Sequence, residues 1–183
     1  LDGNPNTGVL FMVASPGLNM HLMATGFSYE CYKITGGATK KAGLVMSREQ
    51  ASKAGGNTPA RVQLHRIDVT LVNANAGIVV VPEEPAEDHL NYYTRGTTEA
   101  GVKDVRHYRK VTYRNVYRNI DLEFIAFTGT GKEGIKYNFI VHPGGNVEDI
   151  RLNYEGANSV RLEKGAIRLV TSAGELEEYI PYS

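Results

Sequence analysis

The sequence predicts an all-β fold: an antiparallel two-sheet β-sandwich of about twelve short strands, with at most one or two short helices. Three observations lead there. Apolar and polar side chains alternate with period two, most clearly between Tyr113 and Tyr154. Hydrophobic residues are 42% of the chain and glycines number 20, a balance that favours many strands and turns. The alternating runs follow one another at close spacing with no long helical period, and that many strands exceed one flat sheet.

The elements follow in order. Residues 1–8 are turn-formers. Val9 to Val13 reads as a buried strand closed by Ser15-Pro16-Gly17. Leu18, Met20 and Leu22 alternate with Asn19 and His21, and Thr25-Gly26 makes the next turn. Phe27, Tyr29 and Cys31 then share one strand face against Ser28, Glu30 and Tyr32. The gaps are too short for crossovers, so these three strands form an antiparallel meander. Thr35 to Ala60 changes character, with few large apolar residues. Ser47 and Gln50 have capping-box spacing before Gly55-Gly56, so the segment is either an excursion loop or carries a short surface helix over Arg48 to Ala54.

Alternation returns at Arg61. Val62 and Leu64 hold one phase while Ile67, Val69 and Leu71 hold the other, which predicts a β-bulge at His65-Arg66. Gly77 to Val81 is a strand ended by Pro82. Glu83 to Asp88 is acidic, contains Pro85, and reads as a solvated loop or single helical turn. Leu90 to Tyr93 leads into a further loop. Val105, Val111 and Tyr113 face one way in the strand before a central hairpin. Its arms carry Ile120, Leu122, Phe124 and Ala126, then Ile135, Tyr137, Phe139 and Val141, with a turn within Thr128 to Glu133. Short strands follow around Ile150 to Tyr154, Val160 to Leu162, Ile167 to Leu169 and Leu176 to Ile180, with turns at Lys164-Gly165 and Ala173-Gly174. Residues 1–183 therefore read as a single β-sandwich domain with 35–60 as an excursion; the alternative is two closely packed β subdomains split near 90–105.

Composition removes several function classes. Twenty basic residues balance twenty acidic ones, so there is no global steering toward nucleic acid or anionic membrane. One cysteine excludes an internal disulfide framework. The longest apolar run, Val9 to Ala14, is strand-sized, so no transmembrane segment is expected. Leu1 is not a natural start, which is compatible with a removed leader.

Gly129-Thr130-Gly131-Lys132-Glu133-Gly134 has dinucleotide-fingerprint spacing, but period-two alternation follows it where that chemistry needs a helix N-terminus. Lys103, Arg106, Arg109, Lys110, Arg114 and Arg118, interleaved with Tyr108, Tyr113 and Tyr117, have the composition of a single-stranded nucleic-acid grip. At zero net charge they read instead as a solvated outer face, and no nucleic acid is expected. His21, His65, His89, His107 and His142 show no paired ligand spacing, so no metal is expected. No cofactor is expected either. Cys31, on a face with Phe27 and Tyr29, reads as core. Asp121 reads as a solvent-face or turn-bonding residue. The carboxylates Glu83, Glu84, Glu87, Asp88, Glu175, Glu177 and Glu178 make a glycosidase pair only if two converge in space. Among eleven tyrosines, Tyr92, Tyr93, Tyr108, Tyr113 and Tyr117 are the candidate ligand contacts, since an exposed tyrosine offers an apolar body and a polar tip.

The central stretch also resembles a known family. Its motifs are Asn91-Tyr92-Tyr93; Tyr108, Val111, Tyr113, Val116 and Tyr117 leading to Ile120-Asp121-Leu122; Ile135 to Asn146 in the form I-K-Y-N-F-I-V-H-P-G-G-N; and Tyr154-Glu155-Gly156-Ala157 after Ile150 to Leu152. Gly26-Phe27-Ser28-Tyr29 at the front and Gly174 to Pro181 at the end fit as well. Together they resemble the N-terminal domain of large exported bacterial proteins that carry SBBP β-propeller-type repeats and, in Bacteroidetes, often a C-terminal domain for type IX secretion sorting or gliding motility. That domain has no known function. The resemblance covers most of the chain outside Thr35 to Ala60. Arg118-Asn119 stands where the family usually has Pro-Gly, and Asn138 where it often has Asp, so no acidic role transfers to Asn138. No catalytic or binding residues are carried over.

The resemblance implies a non-enzymatic, structural or adhesive module at the cell surface or outside the cell, placed before repeats. Its partners would be other domains of the same protein, or a surface protein or glycan. A carbohydrate-binding module using exposed tyrosines is the second reading, and a glycosidase-like enzyme the third.

Overall fold

A computed structural model of the chain describes residues 8–36, 61–92, 101–129 and 132–179, without the side chains of residues 92, 102, 127–129 and 132–134. The expected helix at 48–54 lies outside these residues. The all-β, sandwich-like architecture is present, with twelve strands distributed over three antiparallel sheets and a single 3-10 turn at Val147–Asp149 among the described residues. No helix among them is long and apolar enough to cross a membrane.

The chain forms two compact units, residues 1–10 with 71–151 and residues 11–70 with 152–183. Residues 90–105 fall inside the first, because Leu90 and Val105 are direct cross-strand partners there.

The second unit contains a five-stranded sheet ordered β1 (Phe11–Ser15), β2 (Leu18–Met23), β3 (Gly26–Thr35), β4 (Arg61–Leu71) and β9 (Leu152–Glu155). The meander β1-β2-β3 pairs as the short turns require. Met20, Leu22, Phe27, Tyr29, Ile67 and Val69 fill its buried face. Gly26 sits where β3 approaches β4 so closely that a Cβ would lie 2.2 Å from the Val69 carbonyl oxygen. Gly156, at φ +97, would bring a Cβ to 2.6 Å from the Arg66 carbonyl oxygen. Two glycines of the sequence motifs thus mark close backbone approaches. A three-stranded meander, β10 (Ser159–Glu163), β11 (Ala166–Val170) and β12 (Glu175–Tyr179), belongs to the same unit. Its first turn is Lys164-Gly165, both at positive φ, as a two-residue hairpin demands.

The bulge expected at His65-Arg66 is absent. β3 and β4 pair without interruption from Gly26–Thr70 to Thr35–Arg61. The phase change in the sequence is resolved by exposure instead: Val62 and Leu64 simply lie on the opposite, exposed face.

The first unit is built on the sheet β5 (Val79–Tyr92), β6 (Val102–Tyr117), β7 (Ile120–Gly129) and β8 (Lys132–Val141) in sequential order. The acidic stretch after Pro82 is strand, not loop: Pro82 pairs with Val111, Glu83 with Lys110 and Pro85 with Tyr108. Proline is tolerated because β5 is the sheet edge, where one side of the strand needs no ladder donors. The central hairpin continues to the Gly129–Lys132 pair, so the turn is tighter than Thr128 to Glu133. Ile120, Leu122 and Phe124 are buried, and Tyr137 and Phe139 lie half-buried on the same face. The rings of Tyr113, Phe124, Tyr137 and Phe139 form a chain with centroid separations of 5.5, 6.0 and 6.2 Å.

Candidate functional site

A polar constellation of the first unit sits at the β6–β7 corner, in the repeated Tyr113-Arg114-Asn115 and Tyr117-Arg118-Asn119. Between the Tyr113–Leu122 and Tyr117–Ile120 pairs, β6 spends three residues, Arg114 to Val116, against the single Asp121 on β7. The excess is taken up at Asn115, whose φ of 56° suits asparagine better than most residues. The irregularity puts the consecutive residues Val116 and Tyr117 both in the core. Simple alternation would have exposed one of them.

Asp121 holds this geometry. Its Oδ1 accepts the Asn115 backbone N–H at 2.6 Å, and its Oδ2 lies 3.0 Å from Nε2 of His142. The Asn115 side-chain oxygen accepts the Asn119 N–H at 3.3 Å, and the Asn119 carbonyl accepts the His142 N–H at 2.9 Å. Asn75 closes the cluster, donating its side-chain amide to the Asn115 carbonyl at 2.7 Å and its backbone N–H to the Val116 carbonyl at 2.9 Å. Partial burial pushes the Asp121 carboxyl up. The Asn115 N–H, His142 and the more distant Arg114 outweigh it and hold the group below the usual carboxylate range. A carboxylate so occupied bonds a turn, as its sequence context indicated. The partners Asn75, Asn115, Asn119 and His142 are scattered along the sequence, and only the doubled Tyr-Arg-Asn signals them locally.

The candidate tyrosines are not brought together as exposed contacts. Tyr113 is fully buried, and burial alone pushes its phenol far up. Tyr117 is also buried; its hydroxyl donates to the Arg151 carbonyl at 3.0 Å and accepts the Arg151 N–H at 3.4 Å. Burial raises its phenol, and the Arg151 backbone N–H partly opposes the rise. These two serve the core and cannot line a glycan groove, which corrects their place among the ligand contacts. Residue type alone does not show burial, and the β6 irregularity at Asn115 is what buries Tyr117. Tyr108 is half-buried on β6. Tyr92 ends β5 with its side chain outside the description, and Tyr93 lies outside the described residues.

The basic run is strand, and part of it is neutralised within the sheet. Glu83 accepts the Thr112 hydroxyl at 2.6 Å and lies 3.1 Å from the Lys110 ammonium and 3.4 Å from the Arg114 guanidinium. The Thr112 bond first, then Lys110, holds the Glu83 carboxyl down, while Glu83 raises the Lys110 ammonium. Lys103, Arg106, Arg109 and Arg118 are exposed.

Other titratable groups are similarly occupied. Arg168 bonds Glu177 and lies 3.4 Å from Glu175. Glu178 is buried and accepts the Tyr154 hydroxyl at 2.6 Å. His65 joins three segments of the second unit: Nε2 donates to the Gly156 carbonyl at 2.8 Å, and Nδ1 accepts the Ser172 N–H at 3.2 Å. Cys31 is buried, and burial pushes its thiol up against a weaker lowering by Thr171. Strand flanks the glycines at 129–134 on both sides, so no helix dipole faces them. No group of three or more metal-competent side chains occurs among the described residues.

A family model described as "Domain of unknown function (DUF7948)" matches residues 2–183. The chain belongs to this family. No curated protein and no solved structure matches the DUF7948 chain. Within this DUF7948 domain, the I-D-L motif is a corner device: Ile120 and Leu122 anchor the core while Asp121 ties the irregular end of β6.

Proposed function

We propose that this DUF7948 domain is a non-catalytic structural or adhesive module of an exported, cell-surface protein, placed before SBBP-type repeats of a larger chain of the Bacteroidetes type IX secretion kind. Its partners are then other domains of that chain, or a surface protein or glycan. The observation that supports this reading best is the employment of the motif side chains. Asp121, Tyr113, Tyr117 and His142, which define the central motif, are spent on a strand corner and a core. Residues whose bonds are internal specify a domain and leave its exposed faces for contact.

Two measurements on the native protein test it. Antibody labelling of intact producing cells should find the domain accessible from outside, and the purified domain should turn over no glycoside in a broad chromogenic screen. Confinement to the cytoplasm would defeat the surface role. Hydrolysis lost on mutating a carboxylate pair would replace the module with an enzyme. Saturable capture on a glycan array, abolished by changing Tyr108, would favour the carbohydrate-binding reading.

A further inference from the structure

The four-stranded sheet ends in two edges of opposite character. β5 carries Pro82 and Pro85, two register shifts, Glu84 at φ 54° and the carboxylates Glu83, Glu84, Glu87 and Asp88. Those are the devices that stop a sheet edge from recruiting another strand. β8 has no proline, no register shift against β7 and no residue at positive φ. Its Lys136 is charged, but the C-terminal half, Asn138 to Val141, is not.

The direction of the β8 backbone groups follows from one bond. The His142 N–H donates to the Asn119 carbonyl, flanking the Ile120–Val141 pair, so that pair is of the non-hydrogen-bonded kind. Bonding alternates along an antiparallel ladder, so Ile140 and Asn138 exchange bonds with Asp121 and Glu123. The N–H and C=O of Phe139 and Val141 then point away from β7, at the open edge. Apolar side chains are exposed at the same place: Ile140 is 38% and Val141 40% accessible.

We propose that this end of β8 is a self-association edge, pairing antiparallel with β8 of a second copy about a two-fold axis at Ile140. In that register Phe139 lies opposite the partner's Val141, and Val141 opposite the partner's Phe139. Both are outward-pointing positions, so each couple exchanges two backbone hydrogen bonds. Ile140 meets the partner's Ile140 on one face, and Phe139 and Val141 meet their counterparts on the other. Asn138 falls opposite the partner's His142, so no like charges are opposed. Pro143 lacks the N–H to continue the ladder and limits its length. A second copy fits this edge because the segment is self-complementary in both side-chain character and hydrogen-bonding parity. A contact of a few residue pairs is small, so the dimer is weak and concentration-dependent.

The test is sedimentation equilibrium of the whole chain from dilute to concentrated solution, with amide exchange measured at both extremes. The parent should shift toward dimer, and the Phe139 and Val141 amides should slow as concentration rises while those of Asn138 and Ile140 are protected throughout. Ile140→Lys, which opposes two ammonium groups at the axis, should weaken association by roughly tenfold or more. Val141→Pro removes an outward donor and should act likewise, with its urea midpoint checking that it folds. A monomer at every concentration with unchanged Phe139 and Val141 exchange overturns the proposal, as it would if the edge serves only a different protein. A dimer unaffected by Ile140→Lys overturns it too, since the contact then lies elsewhere.

Discussion

Asp121 ties Asn115 and His142 together at the β6–β7 corner, and its charge state has a consequence for stability. Its carboxyl is held below the ordinary range of about 4, so the folded state favours the ionised form. That contribution is fully present above the unfolded value and is lost as pH falls through the folded one. Unfolding free energy measured between mildly and strongly acidic pH should therefore fall more steeply for the parent than for Asp121→Asn. Parallel curves would show that the carboxylate is not ionically engaged. Tyr117→Phe removes a single hydroxyl from a buried ring and should cost about 0.5–1.5 kcal/mol, the net worth of an ordinary hydrogen bond; a neutral result in urea titration would mean that water replaces the Arg151 contact. At this scale residue type was a fair guide for Asp121 and Cys31. It misled for Tyr113 and Tyr117, because whether a tyrosine is a contact or a core ring depends on register, and the register of β6 changes at Asn115.

Elements were readable where both faces of a strand differ. The period-two runs at Ile120–Phe124 and Ile135–Val141 give the hairpin faces directly, and Leu122–Phe139 and Phe124–Tyr137 are cross-strand partners as that pattern requires. Phe139→Ala should destabilise by roughly 1.5–3 kcal/mol, below the full core cost of 3–5 because β8 is an edge strand and the ring is half-buried. Equality with Lys136→Ala in urea midpoint would show the face assignment to be wrong. The β3–β4 pair gives a second expectation. Thr35 and Arg61 are direct partners, so the chain leaves and re-enters at adjacent points. Replacing residues 37–56 with a short linker should preserve cooperative unfolding, and a broad, non-cooperative transition would make that segment part of the core. What the sequence concealed was β5, since prolines and four carboxylates resemble a loop until the strand is known to be an edge. The phase change at His65 was likewise ambiguous between a bulge and two exposed apolar residues, and local pattern does not distinguish them.

Across the described residues, the antiparallel all-β character follows from alternation and turn spacing, whereas the 14- and 16-residue lengths of β5 and β6 and the division among three sheets do not. Sheet membership depends on long-range partners, such as β9 beside β4, that no local pattern announces. The bonded corner motif around Asp121 serves the fold of this DUF7948 chain. The direct measurement is the urea midpoint of Asp121→Ala beside that of Lys136→Ala. Removing the Asp121 carboxylate takes the charged acceptor from the Asn115 N–H and should cost about 1.5 kcal/mol, the lower end for a bond to a charged group because Asn115 is exposed, while the exposed Lys136 change should stay within about 0.5 kcal/mol. An Asp121→Ala midpoint equal to the parent's would contradict the claim, because a carboxylate that is dispensable for folding yet so fully bonded would have to be kept for something else.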